Sequence, residues 1–161
     1  MPVRPARDFQ GLLLLTNDWP IIVIEFPEAR VPDDALRACL SSVEDLLKEA
    51  RDGNQWTFTV TDLTRMVEFP SAVQRACTSE WLARTLALQK AASLGAATVT
   101  RSTLLRGVVN AVQWISPPAL PSPFVATREE AMIEARKVFD ARRIPLRASL
   151  SDVPRGARKS L

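Results

Sequence analysis

The chain contains no histidine and no tyrosine. Without an imidazole, histidine acid/base catalysis, Ser-His-Asp and Cys-His nucleophile sites and His-ligated metals are excluded. The only cysteines are Cys39 and Cys77, too few for a structural zinc site of four cysteines or of two cysteines and two histidines. Both fall on apolar helical stripes, which reads as inert packing rather than a redox pair. No apolar run approaches the ~20 residues that span a membrane. At the N-terminus, MPVRPARDF is followed by the short run Gly11–Leu15 and then polar Thr16, Asn17 and Asp18. A secretory leader wants a longer apolar core with a small-residue cleavage site behind it. The expectation is a cytoplasmic protein with reduced thiols.

Net positive charge is confined to one segment. The net charge is +3, yet residues 142–161 carry Arg142, Arg143, Arg147, Arg155, Arg158 and Lys159 against Asp152. The rest of the chain is slightly acidic, which argues against nucleic-acid binding by the folded part, since that wants a basic face on the fold itself. The segment from Arg143 onward mixes prolines, serines and arginines without periodicity, so residues 143–161 read as a basic, disordered tail. It is either a solvated extension or a contact for acidic lipid or nucleic acid. Residues 1–8 read as an N-terminal extension and 9–142 as one domain, the default for 161 residues.

Within that domain, Phe9–Leu15 and Pro20–Phe26 are β-rich runs around the turn signal Asn17-Asp18, an antiparallel hairpin. Pro32, Asp33 and Asp34 open a helix with acids at its positive pole. Leu36, Cys39, Leu40, Val43, Leu46 and Leu47 form its single apolar stripe, and Gly53-Asn54 ends it. Trp56, Phe58 and Val60 then alternate with Thr57, Thr59 and Thr61, a strand with one apolar face and therefore helices on one face of the sheet. Ser71 caps the next helix, with Gln74 completing a capping box. That helix runs to about Ser93. Val73, Cys77, Trp81 and Leu88 share one face, Leu82 and Leu86 lie roughly opposite, and Arg84 interrupts the main stripe. Such a helix is either wedged between the core and another element or offers a face to a partner. Gly95 reads as its end and Ala96–Thr100 as a strand. Ser102 caps a third helix bearing Leu104, Leu105, Val108, Val112 and Ile115. The proline-rich 116–123 segment cannot continue it. Phe124–Ala126 is a minimal strand. Thr127 and Glu130 form a capping box, and Ala131, Met132, Ala135, Val138 and Phe139 make the last stripe.

The order is β-β-α-β-α-β-α-β-α. It predicts an α/β fold with a mixed, mainly parallel sheet of four to five strands and helices mostly on one face.

The hairpin, WTFTVTDLT, FPSAVQR, LLRGVVNAVQWISPP and PFVATREEAMIEA, in that order, together resemble the SpoIIAA-like small bacterial domains, which sit between the STAS and CRAL-TRIO lipid-transfer types. The resemblance spans about residues 9–142. It implies a non-catalytic module. STAS domains bind partner proteins, some under control of a phosphorylated serine in an Asp-Ser-Ser-Gly-like loop. Here Asp62-Leu63-Thr64 leaves the strand with no such run, so no phosphoswitch carries over.

Asp62, Thr64, Arg65, Ser71 and Arg75 converge where a strand ends and a helix begins, the edge at which open α/β sheets bind ligands. They equally suit a shaped turn, a helix cap and a solvated arginine. No Gly-rich phosphate loop accompanies them. Of the four tryptophans, Trp56 and Trp81 fit core positions, while Trp19 and Trp114 are contact aromatics or edge-of-core packing. The reading is a cytoplasmic regulatory or scaffolding module that binds a protein partner through residues 62–86. Asp62, Thr64, Arg65, Ser71, Arg75, Leu82 and Leu86 form its contact surface, and a homo-oligomer is compatible with it. No catalytic residue, cofactor or metal is assigned. The alternative is a domain for a small apolar or lipid-like ligand, as the CRAL-TRIO side of the resemblance implies. An enzyme comes third, with no recognisable arrangement of the remaining Asp, Glu, Lys, Arg, Ser, Thr or Cys chemistry.

Overall fold

Ten elements follow from the pattern of turns, caps and stripes. The computed structural model describes residues 5–120 and 122–146. The elements are β1 (Arg7–Phe9), β2 (Leu12–Leu15), β3 (Ile21–Glu25), α1 (Asp33–Asp52), β4 (Thr57–Asp62), α2 (Ala72–Ala92), β5 (Ser93–Val99), α3 (Thr103–Ile115), β6 (Phe124–Val125) and α4 (Arg128–Ala141). They build an α/β fold around one mixed sheet in the order β1-β2-β3-β4-β5-β6. The β1/β2 and β2/β3 pairs are antiparallel, and the β3/β4, β4/β5 and β5/β6 pairs are parallel.

Six strands form where four to five were expected. The run Phe9–Leu15 is broken by Gln10 and Gly11, both in left-handed backbone with φ of 54° and 94°. Two successive positive φ values make the two-residue turn whose twist suits a hairpin. The Asp8 carboxylate fixes it by accepting the Gly11 N–H at 2.7 Å. Arg7 and Asp8, expected in the extension, thus belong to an edge strand. At the other end Ile144 and Leu146 pack against the sheet. The rest of the expected tail, 147–161, lies outside the described residues.

The three expected cap hydroxyls are in place, and of the two expected capping boxes only the one at Ser71 closes. The Ser71 hydroxyl accepts the Gln74 N–H at 3.1 Å, and the Gln74 side chain accepts the Ser71 N–H at 3.2 Å. Ser102 caps α3 through Leu105 N–H, and Thr127 caps α4 through Glu130 N–H. Glu130 reaches back to the Ala126 N–H, one residue before the cap. Asn54, with φ of 51°, takes the left-handed position after α1. Gly95 does not end α2. It lies inside β5 opposite Phe58, because α2 passes into the strand at Ala92 and Ser93 without a loop.

Two cores flank the sheet. On one face Leu12, Leu14, Ile22 and Ile24 meet the whole expected stripe of α1. On the other, Ile21, Val23, Phe58, Val60, Ala97 and Val99 meet Ala131, Ala135 and Phe139 of α4. The sheet is therefore covered on both faces, against the expectation drawn from the alternation in β4. Period two shows that a strand has two unlike faces, but not that the polar one meets water. The apolar face of β4 went to α4, and its threonines turned toward α1, α2 and α3.

Of the two arrangements open to the two-sided α2, the wedge is the one found. It packs between α1 and α3, with Cys77, Trp81 and Leu88 on the α1 core. Val73, expected on that stripe, is instead exposed. Arg84, the misfit, reaches across to Glu44 of α1 at 2.9 Å.

Candidate functional site

The threonine face of β4 does not close against the helices. A cavity of about 230 Å3 lies between the sheet and α1, α2 and α3. Its floor is Ile24 of β3, Thr59 and Thr61 of β4, and Ala96 and Thr98 of β5. The register explains the grouping: Thr59 pairs with Ala96 and Thr61 with Thr98, so all four side chains share one face. Leu36, Cys39, Leu40 and Leu47 of α1 form one wall. Trp81 and Leu82 of α2 form a second, with Leu105, Val108, Val109 and Val112 of α3 opposite. Leu63, Met66, Pro70 and Arg75 line one end, at the C-terminal edge of the parallel strands; Pro118, Leu120 and Ser122, from the segment leading into β6, complete the lining.

The space exists because small side chains floor it. Threonine and alanine leave room that leucine or phenylalanine would fill, and α3 packs chiefly on α2. The volume exceeds the ~150 Å3 of an apolar cavity that takes benzene, and falls short of the roughly 300–1,000 Å3 of sites for drug-sized ligands. The lining is mainly apolar. The Thr59 and Thr61 hydroxyls have no hydrogen-bond partner among the described residues, although both lie in the central strand β4, and neither residue is fully buried. Cys39 is buried beside this space, and burial pushes its thiol up to about 12, which makes it a poor nucleophile near neutral pH.

The residues expected at the strand–loop–helix junction divide into two groups. Asp62 is buried and fully engaged. One of its carboxylate oxygens accepts from the Thr64 N–H at 3.0 Å and the Thr64 hydroxyl at 2.6 Å. The other accepts from Arg128 at 3.0 Å and 3.2 Å. Arg128, at the start of α4, also donates to Glu25 at the end of β3. Burial alone would lower the Arg128 guanidinium, but its hydrogen bonds to Glu25 and Asp62 outweigh that and raise it. Arg65 extends the cluster to Glu25 at 3.7 Å and Glu28 at 3.8 Å. This network ties β3, β4 and α4 together at one sheet edge. Ser71 is consumed as the α2 cap. Arg75 and Leu82 belong instead to the cavity. Leu86, half-buried on α2, lines neither site.

Sequence reasoning missed the cavity floor. The signal was present in the Thr57–Thr59–Thr61 row, a polar face on a strand too central to be wet. It also missed Arg128 and Glu25, which are distant in sequence from Asp62 and share no local motif with it.

Among the described residues no helix is long and apolar enough to cross a membrane. The chain matches no protein-family model, no curated protein and no solved structure.

Proposed function

We propose that this chain is a non-catalytic binding domain for a small, mainly apolar molecule held between the threonine face of the sheet and α1, α2 and α3. The observation that carries the reading is the apolar-walled cavity of about 230 Å3 floored by threonine hydroxyls that have no hydrogen-bond partner among the described residues. Filling apolar space returns the dispersion contacts that its walls lack and removes ligand surface from water at about 25 cal/mol per Å2. The hydroxyls give the ligand one polar register along the floor. This reading is the alternative that the CRAL-TRIO side of the resemblance implies.

The test is saturable binding of N-phenyl-1-naphthylamine, whose emission rises in apolar surroundings, with displacement by short alcohols. Mass spectrometry of the intact protein under native conditions identifies any molecule that co-purifies. A ligand at a hundred times its Kd should add about 2.7 kcal/mol to stability and raise Tm by several degrees. Probe emission that climbs linearly without saturation, with Tm unmoved, refutes the reading.

A second reading, a protein partner docking on residues 62–86, is favoured by Val67, Phe69 and Val73. They are 72%, 49% and 50% exposed on the loop and first turn of that region, and clustered exposed apolar side chains are how partner surfaces are built. Replacing Val67 and Phe69 by serine should abolish capture of such a partner while leaving probe binding intact. Capture that persists in this double variant removes the docking surface from those residues.

A further inference from the structure

Arg51, Arg65, Arg84 and Arg128 each have a carboxylate within 4 Å. Arg75 has no such partner among the described residues, yet it is held in place: its guanidinium donates to the Pro70 carbonyl at 2.7 Å. It is also the one charged side chain on the lining of the cavity among the described residues. It stands at the end of the cavity by Met66 and Pro70, exposed to water on its other side. The first turn of α2 carries no acid to neutralise it, and the positive pole of that helix adds charge of the same sign.

We propose that the ligand is an amphiphile with one anionic head group, seated on Arg75, and a single short apolar tail lying over Thr59 and Thr61. This inference rests on the cavity reading above and names the class of molecule it would take. The position of the charge follows from the walls. A carboxylate carried to the threonine floor would lose water and gain no counter-ion, which costs several kcal/mol. At the rim it keeps part of its hydration and meets a guanidinium whose remaining N–H groups are free to grip two oxygens. The volume of about 230 Å3 suits one short chain. A carboxylate, a sulfate monoester and a phosphate monoester all share the required head-group chemistry.

The experiment displaces N-phenyl-1-naphthylamine from the full chain with octanoate, octyl sulfate and 1-octanol. It compares the wild type with Arg75→Gln, Arg75→Lys and Thr61→Val. Expected is a loss of about tenfold in affinity for the anions in Arg75→Gln, partial recovery in Arg75→Lys, and a change under twofold for octanol in both. Raising the salt should narrow the wild-type difference between octanoate and octanol. Octanol retention and an unchanged far-ultraviolet spectrum show that the variant is folded. If Arg75→Gln leaves octanoate binding unchanged, or weakens octanol equally, the head group is not on Arg75 and the inference fails while the cavity reading stands. A larger loss of octanoate in Thr61→Val than in Arg75→Gln places the head on the floor and also overturns it. A probe that never saturates the wild type ends both readings.

Discussion

Ala96 lies on the cavity floor, paired with Thr59 and on the same face as Thr61 and Thr98. Leucine at this position adds three carbons pointing into open space. In a filled core such a change forces neighbours apart and costs about 1–3 kcal/mol. Here the added methylenes enter a cavity of about 230 Å3, and each is worth up to about 0.8 kcal/mol. The net expectation is a gain of about 1–2 kcal/mol after loss of side-chain entropy. The assay is urea unfolding followed by tryptophan fluorescence, read as a higher midpoint at an unchanged slope. The same variant should lose binding of N-phenyl-1-naphthylamine, because the leucine occupies the space the probe needs. Opposite signs for stability and binding are what an unfilled site requires. Destabilisation by 1 kcal/mol or more would show that no such space exists. A gain in stability with probe binding intact would show that the cavity is not where the probe goes.

Across a series of straight-chain carboxylates, affinity should rise about fourfold per methylene and level off once the tail fills the cavity; a series with no plateau argues for binding on an open surface. Arg128→Met should destabilise by about 2 kcal/mol, because Asp62 is left buried without its cation. That figure is held below that of a fully enclosed pair because the Arg128 side chain is 37% exposed; a midpoint unchanged in urea would mean that the cluster contributes nothing. The Cys39 thiol, raised to about 12 by burial, should resist alkylation at pH 8 until the chain unfolds, as mass mapping of labelled peptides would show. Because its folded pKa lies above the ordinary value of 9.0, the folded state keeps its proton longer. Stability linked to this group is fully present below pH ~9 and falls as pH rises from there toward 12. Cys39→Ser should flatten that part of the curve, and an unaltered slope would assign it to other groups.

How much could be read in advance depends on the range of the interaction. The α1 stripe, the Ser71–Gln74 box and the Ser102 and Thr127 caps are contacts between residues a few positions apart, so residue type and spacing suffice. Gly95 misled because a glycine after a helix usually marks its end. Here Ala92 and Ser93 pass straight into β5, and the pairing with Phe58 decides the conformation. The hairpin at Gln10 and Gly11 was hidden because four leucines after the glycine drew the reading toward one continuous strand. Of the junction residues, Ser71 was legible in full. Asp62 was legible as a turn former through Thr64, but its bond to Arg128 bridges 66 positions and leaves no local trace.

By itself the sequence determined the alternation of strands and helices, the points where helices begin, and the two unlike faces of β4. Those follow from backbone sterics and from side-chain periodicities of two and 3.6. Only the tertiary structure decided which face of β4 turned toward α4 and which toward the other helices. It also decided that threonine and alanine would leave an unfilled space there, and that Arg75 would stand at its rim. These are outcomes of packing between segments far apart in the chain, where volume left over and charge left unpaired belong to no single stretch of residues.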